Sequence, residues 1–176
     1  MECSRSSMDY PTILQPTDIE HLLLPSGQRV EIPKAKPVFS LWLGKPLFDT
    51  YNGKCVLEHA GKPLFAELVI LSCLKAAGWE GVWVDSYRRR FLTDFSEKVS
   101  LPAAQFELFD DIQKRAMARG GCFDIFCWRK NEVLFVEAKR LGKDAIRPTQ
   151  KRWVEAALDW GLPTESLLVV EWRCEH

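Results

Sequence analysis

Asp124, Glu137 and Lys139 are the residues of this chain whose types and spacing could do chemistry together. They fall in Gly121-Cys-Phe-Asp-Ile-Phe-Cys-Trp-Arg-Lys-Asn-Glu-Val-Leu-Phe-Val-Glu-Ala-Lys139, where the runs Phe123 to Trp128 and Val133 to Ala138 are rich in β-branched and aromatic residues. The polar Arg129-Lys130-Asn131-Glu132 lies between them, a pattern that predicts an antiparallel hairpin. A turn of two or four residues centred between Lys130 and Asn131 sets Arg129 against Glu132 and therefore Asp124 against Glu137. Directly opposed residues on one hairpin face have Cβ atoms ~5 Å apart, and like charges at that distance are destabilising. A divalent cation held by oxygen ligands compensates them. Lys139, two residues beyond Glu137, projects from the same face, so two carboxylates and an ammonium converge. The plainer reading is a solvent-exposed hairpin face carrying ordinary charges.

The elements that position these residues are legible around the hairpin. From Pro63 the spacing turns helical, with Leu64, Leu68, Leu71 and Leu74 at intervals of three or four and Gly78 as the stop. Glu67 falls on that apolar stripe, where a carboxylate is costly unless paired, hydrogen-bonded or metal-bound. It either reaches solvent or a lysine at the stripe's edge, or points across the sheet edge towards Asp124 and Glu137. Val82-Trp83-Val84 reads as a short strand. Arg88-Arg89-Arg90 and an irregular stretch follow, then a helix from Ala103 to Ala118 ended by Gly120-Gly121. The arginine triplet is read either as a solvated face or as a phosphate grip. After the hairpin, Arg140 to Pro148 lead to a helix from Thr149 to Trp160, then Gly161, then an apolar strand, Leu167 to Val170. Gln150 lies on the same face of that helix as Trp153, Val154, Ala157 and Leu158. Residues 1–60 hold many prolines and turn formers around short apolar runs such as Val38 to Leu43, and predict a few short strands and loops wrapping the core.

This order, helix, strand, insertion, hairpin, helix, strand, with Asp on the second core strand and Glu-x-Lys on the third, resembles the PD-(D/E)XK nuclease superfamily. Gly121-x-Phe-Asp124 followed by Trp128, Val136-Glu137-Ala-Lys139, and Gln150-x-x-Trp153 with Gly161 look like its virus-type replication-repair nuclease (VRR-NUC) domain. The likeness covers Pro63 to Trp172 and is strongest from Gly121 to Gly161. One departure stands out: Phe123 occupies the place where that family usually has proline. The resemblance implies an α/β, restriction-endonuclease-like αβββαβ core, a central mixed sheet flanked by helices. It further implies a metal-dependent nuclease, a structure-selective DNA endonuclease in repair, replication or phage-related processes. Asp124, Glu137 and the Ala138 carbonyl would hold Mg²⁺ or Mn²⁺, Glu67 (with Glu58 as a substitute) a second metal or its water shell. Lys139 would orient or help deprotonate the attacking water, and Gln150 would position water or a neighbour of the scissile phosphate. The alternative is a nucleic-acid-binding or protein-interaction module that keeps the fold without turnover.

The whole chain sets wide bounds. Its 176 residues are read as a single domain, 1–176, with an N-terminal extension over 1–60 and a nuclease-like core over 61–176. Lys plus Arg equals Asp plus Glu at 24 each, so a nucleic-acid partner must be argued from local clustering. Lys139, Arg140, Lys143, Arg147, Lys151 and Arg152 stand against Asp144 alone over 139–152, a density suited to phosphate contacts. With Arg88 and Arg89 they are the expected nucleic-acid-binding residues. DNA is favoured over RNA, and a homodimer is allowed. The scattered cysteines and histidines argue against zinc. The N-terminus lacks the apolar core of a signal peptide and no run approaches a membrane span, so a cytoplasmic protein with reduced thiols and no membrane partner is expected.

Overall fold

Short apolar runs, most of them punctuated by Pro, Gly or Asn, become strands, and the longer 3.6-period runs become helices. The computed structural model describes residues 8–51, 53–95, 97–117 and 120–175. In chain order the elements are β1 (Asp18–Leu23), β2 (Arg29–Ala35), β3 (Val38–Leu41), β4 (Leu57–His59), β5 (Lys62–Leu64), α1 (Ala66–Ala76), β6 (Glu80–Asp85), β7 (Arg90–Leu92), β8 (Lys98–Val99), α2 (Ala103–Ala116), β9 (Ile125–Arg129), β10 (Glu132–Arg140), α3 (Pro148–Trp160) and β11 (Leu167–Glu175). The architecture is mixed α/β: one mixed sheet and three helices. The sheet runs β5-β4-β3-β11-β10-β9-β6-β7-β8, with β1 and β2 attached through β2 to β11. β6, β9 and β10 are antiparallel neighbours, and β11 lies parallel to β10. Among the described residues no helix is long and apolar enough to cross a membrane.

Alternation along the strands divides the molecule into layers. Leu134 and Val136 of β10, Ile125 and Cys127 of β9, and Leu168 and Val170 of β11 pack with Leu71 and Leu74 of α1 on one face. Phe135, Phe126 and Val169 pack with Ile112 of α2 and Trp153 and Val154 of α3 on the other. Trp153 is wholly buried and meets Phe135 edge-on at 4.6 Å between ring centroids, while Phe135 stacks on Phe126 at 4.3 Å. Glu137 and Lys139 share the parity of Phe135, so the pleat itself aims them at α3.

The expected hairpin forms with a two-residue turn, Lys130 taking a left-handed backbone (φ 53°). Val133 pairs with Trp128 and Val136 with Ile125, so one further step sets Glu137 opposite Asp124. Several boundaries differ from the sequence expectation. The first helix begins at Ala66 rather than Pro63, because Pro63 and Leu64 are taken up in pairing with β4. The second ends at Ala116 with Met117 in the left-handed region; Ala118 lies outside the described residues. The stretch after the arginine triplet is a small antiparallel extension, β7 and β8, rather than irregular chain. The N-terminal strands do more than wrap the core: β2 and then β3 lie parallel along β11.

Two local features lock the hairpin against α3. Phe123 is fully buried and stacks on Trp153 at 5.5 Å, a core contact between the hairpin and α3. Gly121 has φ +89°, and a Cβ there would lie 2.5 Å from the main-chain oxygen of Thr149. Both the backbone conformation and the close approach of two chain segments require glycine. Gly121→Ala is therefore expected to cost roughly 2–3 kcal/mol. Gly120→Ala, with a similar φ of +82° but open space around it, should cost roughly 1 kcal/mol. Urea unfolding of both variants checks the pair; equal losses would mean that the contact with Thr149 is not a constraint.

Candidate functional site

The sheet end reached by the start of β9 and the last residues of β10 also receives the N-termini of α1 and α3. Asp124 precedes β9 and is held from both sides. Its main-chain oxygen accepts from the Val84 N–H at 2.7 Å, and its Oδ2 accepts from the Ala138 N–H at 3.0 Å. A strand residue turns its N–H and C=O to the same neighbour, so the Ala138 carbonyl faces the β9 side as well. Glu137 has a side chain only 3% exposed. Its Oε1 accepts from Lys139 Nζ at 2.8 Å and from Gln150 Nε2 at 2.6 Å. Gln150, in the first turn of α3, accepts with its own Oε1 from Lys139 Nζ at 3.2 Å and from the Arg147 N–H at 2.9 Å. One amide thus caps the helix and ties both members of the Glu-x-Lys pair to it.

Glu67, in the first turn of α1, is 5% exposed and makes an ion pair with Lys54. It thus finds a lysine, and its charge also acts on the Asp124 carboxyl. Glu58 is elsewhere, in β4, accepting from the Gly61 N–H at 2.6 Å. Lys54 had no sequence signal. It follows Gly53 in a loop, at no regular spacing from any other site residue.

The electrostatics follow from burial. Loss of water raises the Asp124 pKa well above the usual carboxylate range, with the charges of Glu137 and Glu67 adding to the rise and the Ala138 N–H and Lys54 opposing it. Burial also raises Glu137, against the lowering effects of Lys139, of Gln150 and of a hydrogen bond with Asp124. Among the described residues, Glu137 Oε2 is buried with no hydrogen-bond donor. When both carboxyls are ionised, neither can donate to the other. A proton held on Asp124, or a cation, answers that vacancy.

Mg²⁺ or Mn²⁺ suits this pair: hard oxygen donors, an unsatisfied buried carboxylate oxygen, and one or two carboxylates, the number such ions take from protein. Among the described residues no group of three or more His, Cys, Asp or Glu gathers as a ligand set. Glu67 is engaged by Lys54 instead.

The basic residues separate into groups. A cleft of about 350 Å³ opens beside Glu67 and Ala138 and is lined by Lys54, Arg140 and Lys143, with Tyr51 and Trp172. Arg147 is exposed at the start of α3 and Lys151 is half-buried one turn on. Arg152 lies instead in a separate cleft with Arg115 and Asp159. Arg88 is bound to Asp49 at 2.8 Å and lies 3.8 Å from the centre of the Tyr51 ring, and Arg90 is bound to Asp85 at 2.9 Å. Arg89 is exposed and lines a larger cleft of about 870 Å³ with Tyr87, Phe91, Phe109 and Cys122. There, burial and then the Asp124 and Glu137 charges push the Cys122 thiol up to about 12, against a hydrogen bond from Ser86 that lowers it.

The raised Asp124 pKa has a defined effect on stability. Between the ordinary value near ~4 and the raised one, the folded chain binds more protons than the unfolded chain. Stability therefore falls as pH rises through that window and stays low above it. In a chelator at neutral pH, Asp124→Asn is expected to raise Tm by ~2–4 °C and to lose the advantage below pH ~4. Thermal unfolding across pH checks this, and a variant less stable at every pH would refute the repulsion. No protein-family model, curated protein or solved structure matches this chain.

Proposed function

We propose that this chain is a metal-dependent nuclease that hydrolyses phosphodiester bonds, a structure-selective DNA endonuclease of replication, repair or phage-related processes. The observation that carries the reading is the convergence of Asp124, Glu137, Lys139 and Gln150 at one sheet end, with a buried oxygen of Glu137 lacking a donor. The order α1, β6, β9, β10, α3, β11 supports a restriction-endonuclease-like core, since its antiparallel three-strand unit is followed by a parallel fourth strand.

When bound, Mg²⁺ or Mn²⁺ would supply Lewis-acid stabilisation of the phosphate and a more acidic water. Asp124 and Glu137, with the Ala138 carbonyl, would hold it. Lys139 sits between the Glu137 carboxylate and the Gln150 amide, positioned to orient the attacking water and offset charge building on the phosphate. Gln150 fixes the geometry of both. Arg140 and Lys143 in the adjoining cleft, with Arg147 and Lys151, would contact backbone phosphates and carry little sequence information. Arg88 is committed to Asp49, which leaves Arg89 as the member of the triplet open to substrate.

The non-catalytic alternative has one observation in its favour: Glu67 and Glu137 are each already paired with a lysine. Metal-dependent turnover separates the two readings. Cleavage of labelled single-stranded, duplex, flap and four-way-junction DNA with Mg²⁺, Mn²⁺ or EDTA should show metal-dependent cutting. Asp124→Ala and Lys139→Ala should each lose at least about 10²-fold while remaining folded by circular dichroism. Wild-type rates in either variant would sink the assignment, and metal-indifferent binding with no cleavage of any substrate would favour the non-catalytic module. Replacing Lys143, Arg147 and Lys151 by Ala should weaken DNA binding across sequences and reduce the salt slope by about 3.

A further inference from the structure

Lys54 is delivered to the carboxylates by a pinned loop. Its N–H donates to the Thr50 carbonyl at 2.8 Å. The neighbouring Tyr51 packs on Phe65 at 5.4 Å and on Trp83 at 5.2 Å between ring centroids. Arg88 covers the other side of the Tyr51 ring, and Arg90 donates to its hydroxyl. The Lys54 ammonium rests on Glu67 and lies 5.9 Å from the centre of the Trp83 ring. Its side chain is 38% exposed against 7% for Glu67, so one side of the ammonium faces the cleft shared with Arg140 and Lys143.

Charge balance then limits how many ions the cluster takes. Glu67, Asp124 and Glu137 carry three negative charges, and Lys54 and Lys139 two positive ones. One divalent ion turns the remaining negative charge into a single positive one, which a substrate phosphate offsets. A second ion would leave three positive charges in a buried space of low effective dielectric. It would also have to displace Lys54 from Glu67, the only carboxylate of the cluster outside the Asp124–Glu137 pair.

We infer that Lys54 stands in for a second divalent cation at Glu67, so that the cluster binds one metal ion. The inference rests on the metal site proposed at Asp124 and Glu137. Lys54 is a positioning residue: it fixes Glu67 and sets the charge that the metal meets.

Calorimetric titration with Mn²⁺ in the absence of DNA tests it, with circular dichroism to verify folding. Wild type should bind one ion per chain. Lys54→Gln, whose amide can still donate to Glu67, should bind two, and Lys54→Met gives the same test without a donor. Lys54→Arg should return to one, and Lys54→Gln/Glu67→Gln should do so as well because the second carboxylate site is gone. Two ions in wild type, or one ion at wild-type affinity in both folded Lys54→Gln and Lys54→Met, would overturn the role of Lys54 alone. No Mn²⁺ binding by wild type or any variant would remove the proposed metal site, and this inference with it.

Discussion

Two carboxylates facing each other across a strand pair, at a place where water is largely excluded, constrain nearly everything around them. Asp124 and Glu137 are opposed because the hairpin register opposes them, and that register is fixed by a two-residue turn and by alternate side chains buried on two faces. Slipping the register by one residue would send Phe135 and Phe126 out of the α3 face along with the carboxylates. Core and site are therefore coupled, and the repulsion has to be answered from outside the hairpin. Gln150 answers it from α3, Lys139 from the next turn of the pleat, and Lys54, acting on Asp124, from a loop of the N-terminal segment. Burial and the neighbouring Glu137 and Glu67 charges hold the Asp124 carboxyl well above the usual carboxylate range.

What was legible in the sequence had a period. Alternation over Phe123 to Ala138 carried the hairpin, its register and the shared face of Asp124, Glu137 and Lys139. The helical stripe placed Glu67 on the apolar face of its helix and Gln150 near the start of its own, because a polar residue on an apolar face must find a buried partner. Illegible parts depend on loops closing in three dimensions. Lys54 reaches Glu67 from a loop in which Tyr51 packs on Phe65, Trp83 and Arg88. The pairing of Arg88 with Asp49 and of Arg90 with Asp85 likewise converts part of an apparent basic patch into structural ion pairs. Short strands such as β7 and β8 lack enough residues for alternation to register, and Pro63-Leu64 fits a helix start and a strand end equally well.

Two clefts of the molecule differ in character. One, next to α1, brings Lys54, Arg140 and Lys143 to the rim of the cluster. The other lies towards α2 and is lined by Tyr87, Phe91 and Phe109 together with Arg89, Arg90 and Lys114.

The strand that ends the chain has its outer edge covered twice. β2 pairs with Val169 and Val170 of β11, and β3 continues along Arg173 to Glu175. A fragment cut at residue 61 would lose both strands and half of the β4–β5 hairpin. It would present the apolar β11 as a bare, unpaired edge, the kind of surface that recruits other chains. The boundary that a motif suggests is therefore the wrong place to trim this protein for expression: the shortest unit that keeps its sheet closed on that side begins upstream of β1.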